Sequence, residues 1–339
     1  MDMLHRLRGP NNEGVLAAVI LVVIIGMSLA SPAFLTPNTF FALVRSSLVP
    51  LVFALGVLMV MISGGIDVSF PAIAIFAAYT TVAWSSQASF DPTLVGIFAI
   101  AIVVGALWGL LNGFVIARFR LPTLIVTLGT QGIIKGVLLT YIGSAYISAG
   151  ALPPSVSGAG GAYLVDIPGA GYLHMMLVPV VLLAIAVWWM LTRTTFGRSI
   201  YAIGGDIEAA RRVGIKVVRT QVLLYVLVGG LAAIGGVIFV ILGRNANPQT
   251  LVGTELDIIA AVVLGGASIF GGRGSVLGTV LGVLLVQLIN NNLVLIGVPS
   301  TWQRAAVGVL LLVGVSIQAF AALRSRPSAV LLEKEVSRA

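Results

Sequence analysis

Polar side chains interrupt the apolar segments of this chain at few positions, and those positions are the first candidates for chemistry. Thr127, Gln131 and Lys135 recur at every fourth residue, which places them on roughly one face of a helix. A face of this kind could line a water-filled path for a polar solute. Alternatively, the threonine and glutamine hydrogen-bond to neighbouring helices, and the lysine extends outwards to an aqueous surface. The residues alone leave both interpretations open.

Other polar residues also lie inside apolar segments, where an uncompensated polar group is costly. The further candidates for the same path are Thr130, Asn112 and Gln287. Asp67, in the run SGGIDVS, is predicted to cap the following helix at the inner surface, after a tight turn at Gly64 and Gly65. A direct role for Asp67 along the path is the alternative.

Residue types argue against several kinds of catalytic site. The chain has no cysteine, which excludes disulfides, thiol catalysis and thiolate metal sites. Its two histidines, His5 and His174, do not cluster with carboxylates in the sequence. The pattern G-x-x-x-x-G-K-[ST] is absent, and the nearest fragments, GTQGIIKG and GGRGS, have the wrong spacing. We therefore predict no catalytic residue, no metal site and no enzyme activity in this chain.

The longest charged segment runs from Thr194 to Thr220 and has the local features of a short helix. Asp206 is the predicted N-cap, and Gly214 can adopt the left-handed conformation that ends a helix. The predicted helix, Ile207 to Val213, is marginal by itself, because isolated helices need about 12–15 residues. It therefore requires a partner surface. A solvated loop with one helical turn is the alternative.

Composition places these residues in a membrane protein. Of 339 residues, 59% are hydrophobic and 9% charged, with a mean hydropathy of +1.11, whereas soluble proteins have about 25% charged residues. Recurrent apolar runs predict an all-α polytopic membrane protein of about ten transmembrane helices. The predicted spans are Val15–Ala30, Phe41–Ile62, Val68–Trp84, Thr93–Ile116, Pro122–Ile142, Tyr172–Leu191, Gln221–Leu242, Leu256–Phe270, Val276–Ile296 and Trp302–Leu323.

The basic residues predict the orientation of these spans. With the N-terminus inside, all but four of the 19 Lys and Arg residues lie in cytosolic segments. The exceptions are Arg45, Lys135, Arg244 and Arg304. Both termini and the segment 194–220 are thus predicted to be cytosolic, with residues 1–323 forming one transmembrane domain and 324–339 a tail. This asymmetry explains the net charge of +8 without a nucleic-acid partner.

Two features concern the arrangement of the spans. Residues 143–171, rich in Gly, Ala, Ser and Pro, form a long outer connection that is either a flexible loop or a structured docking surface. GALWGLLNG from Gly105 and GTVLGVLLV from Gly278 share a G-x-x-x-G start, each after a short span containing an aspartate. Five spans per half would give an inverted repeat. The G-x-x-x-G motif, however, is common wherever membrane helices pack closely.

Four segments together resemble the membrane permease subunit of bacterial ABC importers for monosaccharides, the ribose/xylose/galactose class. They are SGGIDVS (Ser63–Ser69), LPTLIVTLGT (Leu121–Thr130), TTFGRSIYAIGGDIEAARRVGIKV (Thr194–Val217) and AAVVLGGASIFGGRGSVLGTVLG (Ala260–Gly282). They occur in the family's order and spacing, so the resemblance covers nearly the whole chain. The chain departs from the family at Phe70-Pro71, where relatives commonly continue SVG.

The resemblance implies a dimer of permeases in the bacterial inner membrane, two cytosolic ATPase domains on separate chains and a periplasmic sugar-binding protein. ATP and Mg would be bound by the ATPase, so no cofactor is expected in this chain. The segment matching Gly197 to Gly214 would be the coupling helix region seated in a groove of the ATPase. The expected coupling residues are Gly197, Arg198, Tyr201, Gly204, Gly205, Asp206, Ile207, Glu208, Ala209, Ala210, Arg211, Gly214 and Ile215.

The favoured hypothesis is thus an importer permease for a monosaccharide or related polyol. A permease of the branched-chain amino-acid type shares the same broad plan. A self-sufficient secondary transporter would use Lys135 and Asp67 as ion-coupling groups. The remaining hypothesis is a membrane scaffold protein that transports nothing and recruits a partner through the charged segment.

Overall fold

The computed structural model describes residues 13–32, 34–88 and 91–293, together with residues 299, 302, 303, 305, 308, 309, 312 and 316. The helices of this part are α1 (Glu13–Ala30), α2 (Pro37–Ile62), α3 (Phe70–Gln87), α4 (Leu94–Phe119), α5 (Thr123–Val137), α6 (Pro154–Ala159), α7 (Leu177–Arg193), α8 (Thr195–Gly205), α9 (Ile207–Arg212), α10 (Val217–Gly243), α11 (Glu255–Leu264) and α12 (Val276–Asn292). The predicted tail 324–339, His5, Arg304 and most of the tenth span lie outside the described residues.

The prediction of an all-α polytopic membrane protein is confirmed. Within the described part of the chain, five helices can cross a membrane by length and composition: α1, α2, α4, α10, and α5 together with the π-helical turn Leu138–Ile142. The α7–α8 pair, bent by 71°, passes the same test as a unit. The predicted eighth span corresponds to α11, which has only 10 residues and is too short to cross a membrane by itself.

α2, α3 and α10 form the centre of the protein. In the most apolar windows of α2 and α10, 67% of residues are buried, compared with 11% in α1 and 22% in α4. α10 packs against α2, α3 and α4, while α12 packs against α1, α2 and α11. The outer helices therefore present continuous apolar surfaces, as a helix facing lipid must.

Glycines in both G-x-x-x-G motifs bring helices into backbone contact. A Cβ added to Gly105 of α4 would lie 2.4 Å from the carbonyl oxygen of Gly229 in α10. A Cβ added to Gly278 of α12 would lie 2.0 Å from the carbonyl oxygen of Gly265, at the end of α11. Small residues allow this close approach of helices. The inverted repeat itself stays a prediction.

The outer connection 143–171 contains regular structure. It has a 3₁₀ turn at Ala149–Ala151, then α6, then strand β1 (Tyr163–Ile167), which pairs antiparallel with β2 (Gly171–His174). The β1–β2 hairpin packs against the beginning of α2. Because residues 171–174 belong to a strand, the sixth span begins at Leu177 and not at the predicted Tyr172.

Candidate functional site

α2 and α3 are separated by a non-helical linker, residues 63–69, that lies largely inside the protein. Gly64 turns the chain with a φ of +84°. Backbone N–H groups of a buried linker need acceptors, because neither lipid nor apolar side chains supply them. Two threonines of α5 do so: Thr123 Oγ1 accepts from the N–H of Ile66 at 2.9 Å, and Thr127 Oγ1 from that of Val68 at 3.3 Å.

The prediction that Asp67 caps α3 at the inner surface is wrong. The N-cap of α3 is Ser69, which makes no side-chain capping bond. The Asp67 carboxylate is 1% exposed, and its Oδ1 accepts from the N–H and Oγ of Ser69, both at 2.7 Å. The carboxylate therefore folds back over the linker that carries it, and its role is within the protein core.

Further hydrogen bonds join the linker to α4 and α5. Asn112 of α4 donates from Nδ2 to Ser69 Oγ at 2.9 Å, and its Oδ1 accepts from Thr130 Oγ1 at 2.6 Å. We call Asp67, Ser69, Asn112 and Thr130 the linker network. All four side chains are buried. Asp67 Oδ2 is one of six buried side-chain polar atoms in the described residues that have no hydrogen-bond partner, and the Tyr225 hydroxyl is another.

The face of α5 predicted to line a path reaches three different environments. Thr127 is fully buried against the linker, Gln131 donates from Nε2 to Glu255 of α11, and Lys135 is exposed. The Thr127 hydroxyl is thus used by the backbone of the linker. That this face lines a path stays a prediction. Of the residues predicted to line a path, Asn112, Thr127, Thr130 and Gln131 have hydrogen-bond partners within the protein.

A cavity of about 500 Å³ lies between α2, α10, α11 and α12. Its lining residues are Arg45, Ser46, Val49, Pro50, Phe53, Phe239, Leu242, Gly243, Leu251, Thr254, Asp257, Ile258 and Gln287. Of the predicted path residues, Gln287 is among them. Sequence reasoning missed Arg45. The signal that could have found it is that Arg45 is one of only four Lys and Arg residues outside the predicted cytosolic segments.

The hairpin holds Arg45 at the edge of this cavity. Arg45 donates from Nη1 to the hydroxyl of Tyr172 in β2, and its guanidinium carbon lies 5.0 Å from the centre of the Tyr172 ring. Such a placement is favourable because the ring face is electron-rich. The Tyr172 ring also packs against that of Tyr163 in β1, with 4.2 Å between centroids. A side chain that lines the cavity is thus fixed by the hairpin.

Near the hairpin, His174 is 3% exposed, and its Nδ1 accepts from the N–H of Met176 at 3.1 Å. Burial lowers the pKa of His174, and the Arg45 charge acts in the same direction. The carbonyl of Gly160 opposes this shift of the pKa, although it does not meet hydrogen-bond geometry with Nε2. The imidazole is therefore neutral at physiological pH.

At the opposite end of α2, helix α8 contacts the short helix α9, and we call these two the surface helix pair. The prediction of α9 is confirmed to within one residue: Asp206 accepts from the N–H groups of Glu208 and Ala209 at 2.8 and 3.0 Å, and Gly214 has a φ of +85°. These bonds from Ala209 and Glu208 lower the pKa of Asp206. The helix α8 was not predicted.

Part of the partner surface required by α9 lies in its own chain, where Ala210 packs against Ile203 and Val217. The expected coupling residues that are exposed are Arg198, Gly205, Asp206, Ile207, Glu208, Ala209 and Gly214. Gly197 and Ala210 are buried, and those partly buried are Tyr201, Gly204, Arg211 and Ile215. The charged residues of the exposed set are Arg198, Asp206 and Glu208, and Glu208 pairs with the partly buried Arg211.

The surface helix pair meets the centre of the protein at Gly204. A Cβ on this residue would lie 1.7 Å from the carbonyl oxygen of Ile62, the last residue of α2. The same oxygen accepts the N–H of Gly272 at 2.9 Å, and Tyr201 donates to the carbonyl of Gly274 at 2.8 Å. We call this contact of three backbone segments the junction. A second cavity, of about 320 Å³, lies beside it, with Tyr225 in its lining.

Comparisons with known proteins identify the family. Residues 38–315 match the family described as the permease component of the branched-chain amino acid transport system. The chain is 36% identical over 307 residues to the ribose import permease protein of Bacillus subtilis (strain 168), covering 88% of this chain and 90% of that protein. It is 32% identical over 302 residues to the autoinducer 2 import system permease protein of Yersinia pseudotuberculosis serotype O:3 (strain YPIII), covering 89% and 83%. No solved structure is significantly similar. The chain therefore belongs to this family of transport permease components and is a multi-pass membrane protein.

Proposed function

We propose that the chain is the membrane-spanning subunit of an ATP-driven importer for a monosaccharide or related polyol. In this assembly a periplasmic binding protein delivers the solute, a second permease subunit completes the pathway, and two ATPase domains on separate chains bind ATP and Mg. Relatives named for ribose and autoinducer 2 import support this choice, since each aligns with nearly nine-tenths of the chain.

The proposed orientation in the bacterial inner membrane has both termini in the cytosol. The surface helix pair would then face the cytosol, and the β1–β2 hairpin and the 500 Å³ cavity would face the periplasm. The bias of basic residues supports this orientation, because cytosolic segments carry an excess of Lys and Arg. Arg45, at the cavity, is one of the four exceptions to that bias.

The junction is the observation that supports a role of the surface helix pair in coupling the ATPase to the transmembrane helices. Since Gly204 lies against the Ile62 carbonyl without space for a side chain, α8 cannot move towards α2 without displacing it. Gly272 connects the same point to the segment between α11 and α12. A partner ATPase that moves the surface helix pair would therefore act directly on the end of α2 and on the segment between α11 and α12.

A branched-chain amino acid is the second candidate solute. The family description names such transport, and Arg45 and Asp257 both line the cavity. A cationic and an anionic group suit the carboxylate and ammonium of a zwitterion. The two relatives named for ribose and autoinducer 2 favour the sugar-type solute over this candidate.

Reconstitution tests the proposal. The chain is placed in proteoliposomes with the ATPase and binding protein encoded beside it, and uptake of labelled ribose, other pentoses, hexoses, polyols and leucine is measured. We expect uptake of a sugar or polyol that requires all three proteins and stops with a hydrolysis-deficient ATPase. Uptake by the lone chain on a proton or sodium gradient would contradict the proposal, and uptake of leucine alone would select the second candidate.

A further inference from the structure

The cavity between α2, α10, α11 and α12 combines a few polar groups with an apolar wall. Phe53 and Phe239 supply aromatic surface, and the hydrogen-bonding groups come from Arg45, Ser46, Thr254, Asp257 and Gln287. Its volume of about 500 Å³ falls within the range of about 300–1,000 Å³ of small-molecule sites, which are mostly apolar with a small number of placed polar groups. This composition suits a neutral solute with many hydroxyl groups and apolar ring faces.

Arg45 is a group of this lining that is held by a residue outside the cavity. Its guanidinium carries five N–H donors in a fixed plane, and at least one of them is used on the Tyr172 hydroxyl. The guanidinium carbon also lies over the Tyr172 ring, 5.0 Å from its centroid, so the ring further restricts the position of the guanidinium. The remaining donors are available to a solute, because one hydrogen bond does not exhaust the guanidinium.

We propose that Arg45 contacts the solute in this cavity and that Tyr172 of the hairpin is the positioning residue that sets its guanidinium for the solute's hydroxyl groups. The inference rests on the proposed function, since it assigns part of the solute selectivity of the permease to a defined pair of residues. The ligand class is a neutral polyhydroxyl compound of monosaccharide size.

The position of Tyr172 in the hairpin also connects Arg45 to an exposed strand. Tyr172 lies on β2, opposite Asp166 of β1, and all five residues of β1 are exposed. A protein that contacts the exposed strand would act on a hairpin that directly holds a cavity residue. Tyr172 thus connects the outer surface to the solute site through one side chain.

The test uses the three-protein proteoliposomes with ribose and its 2-, 3- and 5-deoxy analogues. The variants are Arg45→Gln, Arg45→Lys, Tyr172→Phe and the double variant Arg45→Gln/Tyr172→Phe. Tyr163→Phe is the matched control, because it removes a hydroxyl from the same hairpin without removing the acceptor of Arg45. The same binding protein serves every variant, so its own selectivity cancels when each variant is compared with the wild type.

We expect Arg45→Gln to lower ribose uptake about tenfold or more, because a hydrogen bond to a charged group is lost. Uptake of the one analogue that lacks the contacted hydroxyl should fall much less. Tyr172→Phe should lower ribose uptake by about threefold with the same analogue pattern, and it should add nothing to Arg45→Gln. ATP hydrolysis stimulated by the binding protein should change less than about twofold, and Tyr163→Phe should resemble the wild type.

Three results would overturn the inference. They are normal uptake by Arg45→Gln, equal losses for ribose and all analogues, or independent effects of the two substitutions in the double variant. Should Arg45→Gln fail to assemble, Tyr172→Phe and Arg45→Lys still decide through the analogue pattern. A wild-type protein that transports no sugar or polyol would instead contradict the proposed function, and with it the ligand class named here.

Discussion

The carbonyl oxygen of Ile62 and the backbone of Gly204 are in direct contact, and a Cβ on residue 204 would lie 1.7 Å from that oxygen. Because the oxygen also accepts the N–H of Gly272 at 2.9 Å, the ends of α2 and α8 and the segment after α11 meet at one point. Because these backbones touch, a movement of α8 towards α2 must displace the end of α2.

Gly204→Ala tests the junction. The added methyl group must displace the end of α2, so we expect the free energy of unfolding to fall by about 1–3 kcal/mol, as for other overpacked positions. The measurement is the thermal midpoint of the purified protein in detergent, together with ATP hydrolysis of the assembled importer. Gly205→Ala is the control, since a Cβ at residue 205 meets nothing within 4 Å. Equal midpoints for the two variants would show that the junction has room.

Asp206→Ala tests the cap of α9. The substitution removes the acceptor for the N–H groups of Glu208 and Ala209, so we expect faster amide hydrogen exchange in residues 207–212 and weaker coupling of hydrolysis to uptake. Asp206→Ser should restore much of the protection, because serine also caps helices. Exchange in α9 that is identical in all three proteins would mean that the cap does not stabilise this helix.

The pKa of Asp206 also predicts a pH range. The backbone bonds from Ala209 and Glu208 lower its folded-state pKa below the ordinary carboxyl value of 3.8. The contribution of the cap is therefore complete above that value and is lost only as the pH falls through the lowered pKa. Protection of α9 should not depend on Asp206 titration between pH 6 and 8, and a wild-type-specific loss in that range would contradict this assignment.

Thr130→Val tests the linker network. It removes the hydrogen bond to buried Asn112, so we expect a loss of about 1–3 kcal/mol from an unsatisfied buried group. Thr192→Val is a matched control, because the hydroxyl oxygens of Thr130 and Thr192 both lie within hydrogen-bonding distance of a carbonyl four residues earlier, and Thr192 is exposed. The single hydroxyl proton of Thr130 is shared between that carbonyl and Asn112 Oδ1. Midpoints in detergent give the comparison. Similar losses in both variants would locate the effect in the helix backbone and not in the network.

Asn112→Leu extends this prediction. The substitution removes both hydrogen bonds of the asparagine, the one donated to Ser69 Oγ and the one accepted from Thr130 Oγ1. Since Thr130 then has no side-chain contact left to lose, Thr130→Val should cost less in the Asn112→Leu background than in the wild type. Additive losses in this double-mutant cycle would show that the two residues act independently.

His174 predicts that stability depends on pH. Burial lowers the folded-state pKa of His174 below the ordinary value of 6.5, so the unfolded state binds a proton more readily. Stability is then greatest above pH 6.5 and falls as the pH decreases from that value towards the lowered pKa. The thermal midpoint of the wild type should drop between pH 7.5 and 5.5, and His174→Asn should reduce this drop. An unchanged pH dependence in the variant would contradict the prediction.

Local chemistry accounts for what could be read from the sequence. The helical, multi-pass class follows from composition, because a buried or lipid-facing backbone must satisfy its own hydrogen bonds. The start of α9 at Ile207 and its left-handed end at Gly214 follow from Asp206 and glycine, since caps act within a few residues. The two G-x-x-x-G motifs were likewise visible as sites of close packing.

Only the tertiary structure decided the roles of individual polar residues. Thr127 and Lys135 share one face of α5, yet the first is buried against a linker some 60 residues away and the second is exposed. Gly204 and Gly205 are adjacent and chemically identical, but only Gly204 has no space for a Cβ. Arg45 donates to Tyr172, a residue 127 positions away in the sequence that lies on β2 of the hairpin. Each of these roles depends on which distant backbone lies beside the residue, and periodicity or capping rules, which act over one or two turns, carry no information about that.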